Sequence, residues 1–72
     1  MNILGQRIQE LRKEQGKTQR DLRDLLGYKE TRSIQRIESG ETSVDHEKLI
    51  KLADYFNVST DYLLGRSENR DY

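Results

Sequence analysis

Apolar side chains recur along this chain at helical spacing and almost nowhere else. Leu4, Ile8 and Leu11 share a face with Gln15, and Gly16 follows as a stop. That spacing predicts a helix from Ile3 to Gln15, with Asn2 as its cap. After Thr18 the pattern resumes at Leu22, Leu25 and Leu26, and Asp21 stands three residues beyond the threonine in a relaxed capping box. Gly27 ends this second helix, because glycine takes the left-handed conformation at a helix end without steric cost. Ile34 and Ile37 mark a third helix from about Thr31 to Ser39, with Gly40 as its stop. Leu49, Leu52, Ala53 and Phe56 mark a fourth, capped by Asp45 and closed by Asn57, with Ile50 beside the stripe. Val58 then packs inward, Ser59 caps, and Thr60 to Leu64 form a short fifth helix ended by Gly65. No run of β-branched residues alternates as a strand would, and proline is absent. The expected class is all-α, a compact five-helix bundle over residues 1–65. The tail 66–72, RSENRDY, has no apolar periodicity and is expected to be mobile.

The third helix carries the candidate chemistry. At about 3.6 residues per turn, Ile34 and Ile37 define its buried side and Glu38 falls close beside them. The opposite side carries Arg32 and Arg36, one turn apart, flanked by Ser33, Gln35 and Ser39. Guanidiniums on a narrow helix suit a major groove, where arginine bonds guanine bidentately. On charge alone they would equally suit a solvated helix face. Their place after a short helix and a glycine-broken turn favours the groove. Glu38 raises a separate question, since a half-buried carboxylate needs a partner and a guanidinium offers a planar one. Arg12 flanks the apolar stripe of the first helix and is the candidate.

TQ-x-x-L at Thr18, the break at Leu26-Gly27, and I-x-x-I-E-S-G at Ile34 together resemble the Cro/repressor type of helix-turn-helix. This is the XRE family of transcriptional regulators. LGQRIQELRKEQG resembles the family's first helix and LIKLADYFNVSTDYLLG its fourth and fifth, so the likeness covers about residues 3–65. It implies a lambda-repressor-like DNA-binding domain, with the 31–39 helix in the major groove and the 18–26 helix across the backbone. Arg32, Ser33 and Arg36 are the base-reading candidates, followed by Thr31 and Gln35. Gln19, Lys17 and Thr42 are the phosphate candidates; Gln19 stands at a helix N-terminus, where its amide is expected to point outward. The resemblance also implies that Arg12 and Glu38 form a structural ion pair. The chain departs from the family's commonest form in two places. Its turn, in the stretch YKET, is one residue longer, which leaves the start of the recognition helix open and places Tyr28 where a valine is usual. After Gly40 the family often carries Lys or Arg, whereas Glu41 stands here and would oppose a phosphate.

Charge and composition modify this picture only slightly. The formal net charge is zero, which taken alone argues against a nucleic-acid partner. The distribution matters more: residues 1–37 hold nine Lys/Arg against five Asp/Glu, and residues 38–72 hold four against eight. Apolar residues make up only 32%, yet nearly all lie in the periodic stretches, which argues against disorder. There is no cysteine, no cationic leader and no long apolar span, so a cytoplasmic protein away from membranes is expected. His46 is the one histidine and reads as a surface residue; no metal cluster, phosphate loop or catalytic constellation is evident. No metal, cofactor or small-molecule ligand is therefore expected, and no enzymatic activity. The expected partners are double-stranded DNA and a second copy. One recognition helix reads too few base pairs to single out an operator, so a small repressor working as a weak dimer on palindromic DNA is expected. Val58, Tyr62, Leu63 and Leu64 are the candidate dimer surface, unless they close the monomer's own core. The competing readings are an antitoxin-like protein-interaction module of the same fold, and the DNA-binding domain of a longer regulator.

Overall fold

The computed structural model describes residues 3–71. Among them run five helices and no strand: α1 (Ile3–Glu14), α2 (Gln19–Leu26), α3 (Arg32–Ser39), α4 (His46–Phe56) and α5 (Thr60–Leu64). The all-α expectation holds element for element. Asn2, expected as the cap of α1, lies outside the described residues, and Gln15 falls in the turn after α1 rather than in the helix.

Local chemistry accounts for the boundaries. Thr18 has extended backbone, its hydroxyl accepts from the Asp21 N–H, and the Asp21 carboxylate accepts from the Thr18 N–H at 2.8 Å. These bonds from the Thr18 backbone and side chain hold the Asp21 carboxyl below the usual carboxylate range. Asp45 caps α4 by accepting from the Lys48 N–H, which lowers its carboxyl in the same way. Ser59 caps α5 by accepting from the Tyr62 N–H. At the other end of α4, Asn57 takes the left-handed conformation with φ 58°, the one non-glycine among the described residues to do so.

The caps fix helix directions, and the apolar stripes then define the core. α1 lies against α3, α4 and α5, while α2 rests on α3 and α4. Ile8 and Leu11 from α1, Leu22 and Leu26 from α2, and Ile34 and Ile37 from α3 meet Leu52, Ala53 and Phe56 from α4. Val58, Tyr62 and Leu63 complete the same cluster. Tyr28 packs against its edge, filling the apolar slot expected for it.

The C-terminal region differs from expectation twice. Val58, Tyr62 and Leu63 are buried inside the monomer, so only Leu64 of the candidate dimer residues remains exposed, at 45%. The reason is α1: its face covers α5, a surface that apolar content alone cannot assign. The tail is also held, and by polar rather than apolar groups. The Arg7 guanidinium lies 4.1 Å from the centre of the Tyr62 ring. It donates to the Tyr62 carbonyl, to the Ser67 carbonyl at 2.9 Å and to the Glu68 carboxylate at 3.0 Å. Arg70 also reaches the Tyr62 ring, and it pairs with Glu14 at 3.0 Å while its carbonyl accepts from the Ser59 N–H. The bond to Glu14 raises the Arg70 guanidinium above its ordinary value. Where a free tail was expected, residues 66–71 run back over α1 and α5.

Candidate nucleic-acid interface

The pairing of Arg12 with Glu38 anchors the candidate site. The Arg12 Nε donates to Glu38 Oε2 at 2.7 Å and its Nη2 to Oε1 at 3.2 Å. The two side chains are only 12% and 4% exposed. A carboxylate so far from water is tolerable only when its oxygens are occupied, and a two-point guanidinium contact does that while fixing relative geometry. Arg12 also donates to the Lys17 carbonyl at 3.2 Å, so one side chain ties α1 to α3 and to the turn before α2.

Gln19 extends this network. Its amide nitrogen donates to Glu38 Oε1 at 3.2 Å, and its amide oxygen accepts from Gln35 at 3.4 Å. The amide was expected to point outward for phosphate; instead it turns toward α3. The physical reason is the remaining acceptor capacity of the buried Glu38, which a neutral amide fills without adding charge. Polar contacts therefore run from Arg12 through Glu38 and Gln19 to Gln35 on the outer face of α3. The sequence carried a signal for the first pair, since Glu38 borders an apolar stripe. No comparable signal marked Gln19, whose position at a helix start fits several roles.

The orientation of α3 follows from these contacts. Ile34, Ile37 and Glu38 face inward, and Arg32, Gln35, Arg36 and Ser39 are exposed. Ser33 is half-buried at the margin. The extra residue of the turn is absorbed before the helix, in the bend at Lys29 and Glu30. Thr31 already has helical backbone, makes no side-chain cap bond and is half-buried, so the exposed face of α3 begins at Arg32. Thr31 is thereby the least accessible of the base-reading candidates together with Ser33.

The flanks place the remaining phosphate candidates. The Lys17 ammonium sits 5.6 Å from the centre of the Tyr55 ring, a cation–π contact that keeps it half-buried against α4. Beyond α3, Gly40 takes φ 89°, and the chain folds back so that the Glu41 and Thr42 N–H groups both approach the Arg36 carbonyl, at 2.9 and 3.3 Å. Thr42 is exposed in this loop. Glu41 is exposed as well, and its carboxylate lies 3.9 Å from the Arg36 Nε. The structure brings Arg32, Gln35, Arg36 and Thr42 to the outer side of α3 and its following loop. Lys17 belongs to the α1–α2 turn, and Gln19 to the layer beneath.

The chain is similar in sequence and fold to known proteins. The helix-turn-helix family profile matches residues 8–63. An HTH-type transcriptional regulator of Bacillus subtilis (strain 168), ImmR, is 37% identical over 65 residues, covering 90% of this chain and 50% of that protein. The crystal structure of a transcriptional regulator from Listeria innocua superposes with a TM-score of 0.81 at 40% identity, covering 86% of this chain and 57% of that one. The chain thus spans between half and three-fifths of the length of these relatives. Among its described residues no helix is long and apolar enough to cross a membrane.

Proposed function

The chain belongs to the XRE-type helix-turn-helix family of DNA-binding transcriptional regulators, and from that premise we propose that it is a small repressor binding palindromic operator DNA as a dimer. In this reading α3 enters the major groove and α2 crosses the phosphate backbone. The observation that carries it is the exposed row Arg32, Gln35 and Arg36, held on a helix whose opposite side is fixed by the buried Arg12–Glu38 contact. A base-reading helix has to present its donors at a set depth and angle, and the buried pair supplies that rigidity. Arg32 and Arg36 are the base readers, and Gln35 assists from the edge bonded to Gln19. Thr42 and Lys17 bond phosphates, Lys17 after leaving the Tyr55 ring.

Repression is the simplest regulatory act for such a body. Its longest dimension is 31 Å, close to the roughly 34–36 Å of one duplex turn, so a copy bound with that axis along the duplex covers about a turn of promoter. The decisive experiment selects bound sites from random duplexes and then repeats the selection with Arg32→Ala and Arg36→Ala. Each variant is expected to bind more weakly by about 1–3 kcal/mol and to lose preference at the base pairs it contacts. Variants that keep the full sequence preference while losing general affinity would place both arginines on phosphates. Placed over a promoter, the selected site is expected to lower transcription when the protein is added.

A further inference from the structure

We propose that Glu38 is a specificity-determining positioning residue: through Gln19 its carboxylate fixes which end of the Gln35 amide meets a base, and so selects adenine. The proposal deepens the operator-binding reading above and rests on it.

Direction, rather than strength, is what these side chains transmit. Both oxygens of Glu38 accept from Arg12, at 2.7 and 3.2 Å, so the carboxylate offers Gln19 an acceptor and nothing else. The Gln19 amide therefore turns its nitrogen inward, donating to Oε1 at 3.2 Å, and its oxygen toward α3. Gln35 meets that oxygen with its own amide nitrogen, at 3.4 Å. Reversing either amide would set one oxygen against another. The Glu38 side chain is only 4% exposed, so water does not take over at the inner end. Gln35 is exposed, and beyond the bond to Gln19 it has its carbonyl oxygen and a second amide hydrogen to offer.

That pair of groups distinguishes the purines. In the major groove adenine presents a donor beside an acceptor, whereas guanine presents two acceptors. Held in this sense, Gln35 accepts from adenine N6 and donates to N7. Guanine would bring its O6 against the Gln35 oxygen. An unrestrained glutamine escapes by turning its amide over. Here that turn faces the Gln35 oxygen with the Gln19 oxygen, in an interface that water is leaving, where an unpaired acceptor is most unfavourable. The bonds among the three side chains stay intact on adenine, so the penalty falls on the wrong base alone.

The test uses the full chain and sites selected from random duplexes. Gln35→Ala is expected to lose preference at one base pair, which marks the pair that Gln35 reads. Affinity is then compared on two duplexes that differ only there, one with adenine and one with guanine. The wild-type chain is expected to favour adenine by about tenfold or more. Gln19→Leu removes the fixed oxygen, and the ratio is expected to fall to about threefold or less. Glu38→Gln is expected to lower it likewise, because an amide can face Gln19 with either end. Any unfolded fraction of a variant cancels from the ratio, as does a lost phosphate contact, which weakens both duplexes together. In a Gln35→Ala background Gln19→Leu is expected to leave the ratio unchanged. A wild-type ratio retained in Gln19→Leu or in Glu38→Gln would overturn the proposal. So would a Gln35→Ala variant that loses preference nowhere, or a wild-type preference for guanine at the marked pair. A wild-type chain that selects no site at all would instead overturn the operator-binding reading.

Discussion

Removing the Glu38 carboxylate would strand the Arg12 guanidinium in a setting where it is 12% exposed. An unpaired charge so placed costs about 3–5 kcal/mol, a large share of the 5–15 kcal/mol typical of a whole domain. Arg12→Ala and Glu38→Ala are each expected to destabilise by about that amount in urea titrations, and Glu38→Gln by less because its amide oxygen still accepts from Arg12. A double-mutant cycle should return a coupling of more than about 1 kcal/mol, and a value near zero would show that the two charges stabilise the fold separately. This pair was legible in the sequence because burial and charge make a joint demand: a carboxylate beside Ile34 and Ile37 has to find a cation. The second bond to Glu38 was not legible. A helical wheel says which way Gln19 faces in its own helix, but not which acceptor on a neighbouring helix it will reach.

At the scale of elements, the stops and caps came directly from residue chemistry, and the costs of changing them depend on neighbours that only the fold supplies. Gly27 and Gly65 both end helices with φ 79°. A Cβ on Gly27 would meet nothing within 4 Å, whereas one on Gly65 would lie 2.7 Å from Ile3 Cγ2 and 3.2 Å from Ile3 Cβ. Gly27→Ala is therefore expected to cost only the left-handed penalty of about 1–2 kcal/mol. Gly65→Ala should cost that and more, since the start of α1 must shift to admit it. Thermal unfolding of the two variants decides this, and equal losses would mean that Ile3 yields freely. The same dependence decides between the two readings of α5 for three of its four candidate residues. Val58, Tyr62 and Leu63 are more apolar than a five-residue helix needs for itself, but α1 and α4 lie against α5 and absorb the excess. The longer turn was legible as an insertion from its spacing to Gly40. Its resolution before Arg32 depended on backbone bonds from Ser33 and Ile34 to Glu30 and Thr31, which spacing does not encode.

At the scale of the molecule, the question is how two copies would share one operator. Half-sites of a palindrome lie about 34–36 Å apart, centre to centre. The body measures 31 × 23 × 22 Å, so two copies come within contact only with their long axes near the DNA direction; otherwise a gap of about 12 Å separates them. The surface available for such a contact is small. Of the large hydrophobic residues, Ile50 at 49% and Leu64 at 45% are the exposed ones among those described. Four such side chains, two from each copy and each already about half covered, supply at most about 3–6 kcal/mol at about 1.5–3 kcal/mol for a fully exposed one, no more than the cost of bringing two bodies together. The free protein is therefore expected to sediment mainly as a monomer at micromolar concentration. A palindromic duplex removes most of that association cost by holding both copies in register, so DNA should draw the equilibrium to the dimer by mass action. Sedimentation with a single palindromic site is expected to give a two-to-one complex at saturation. Its log affinity should fall with log salt by about 0.9 per phosphate contact, with twice the slope of binding to an isolated half-site. Leu64→Glu should reduce the cooperativity between half-sites while leaving half-site affinity in place. A one-to-one complex at saturating protein would show that a single copy suffices.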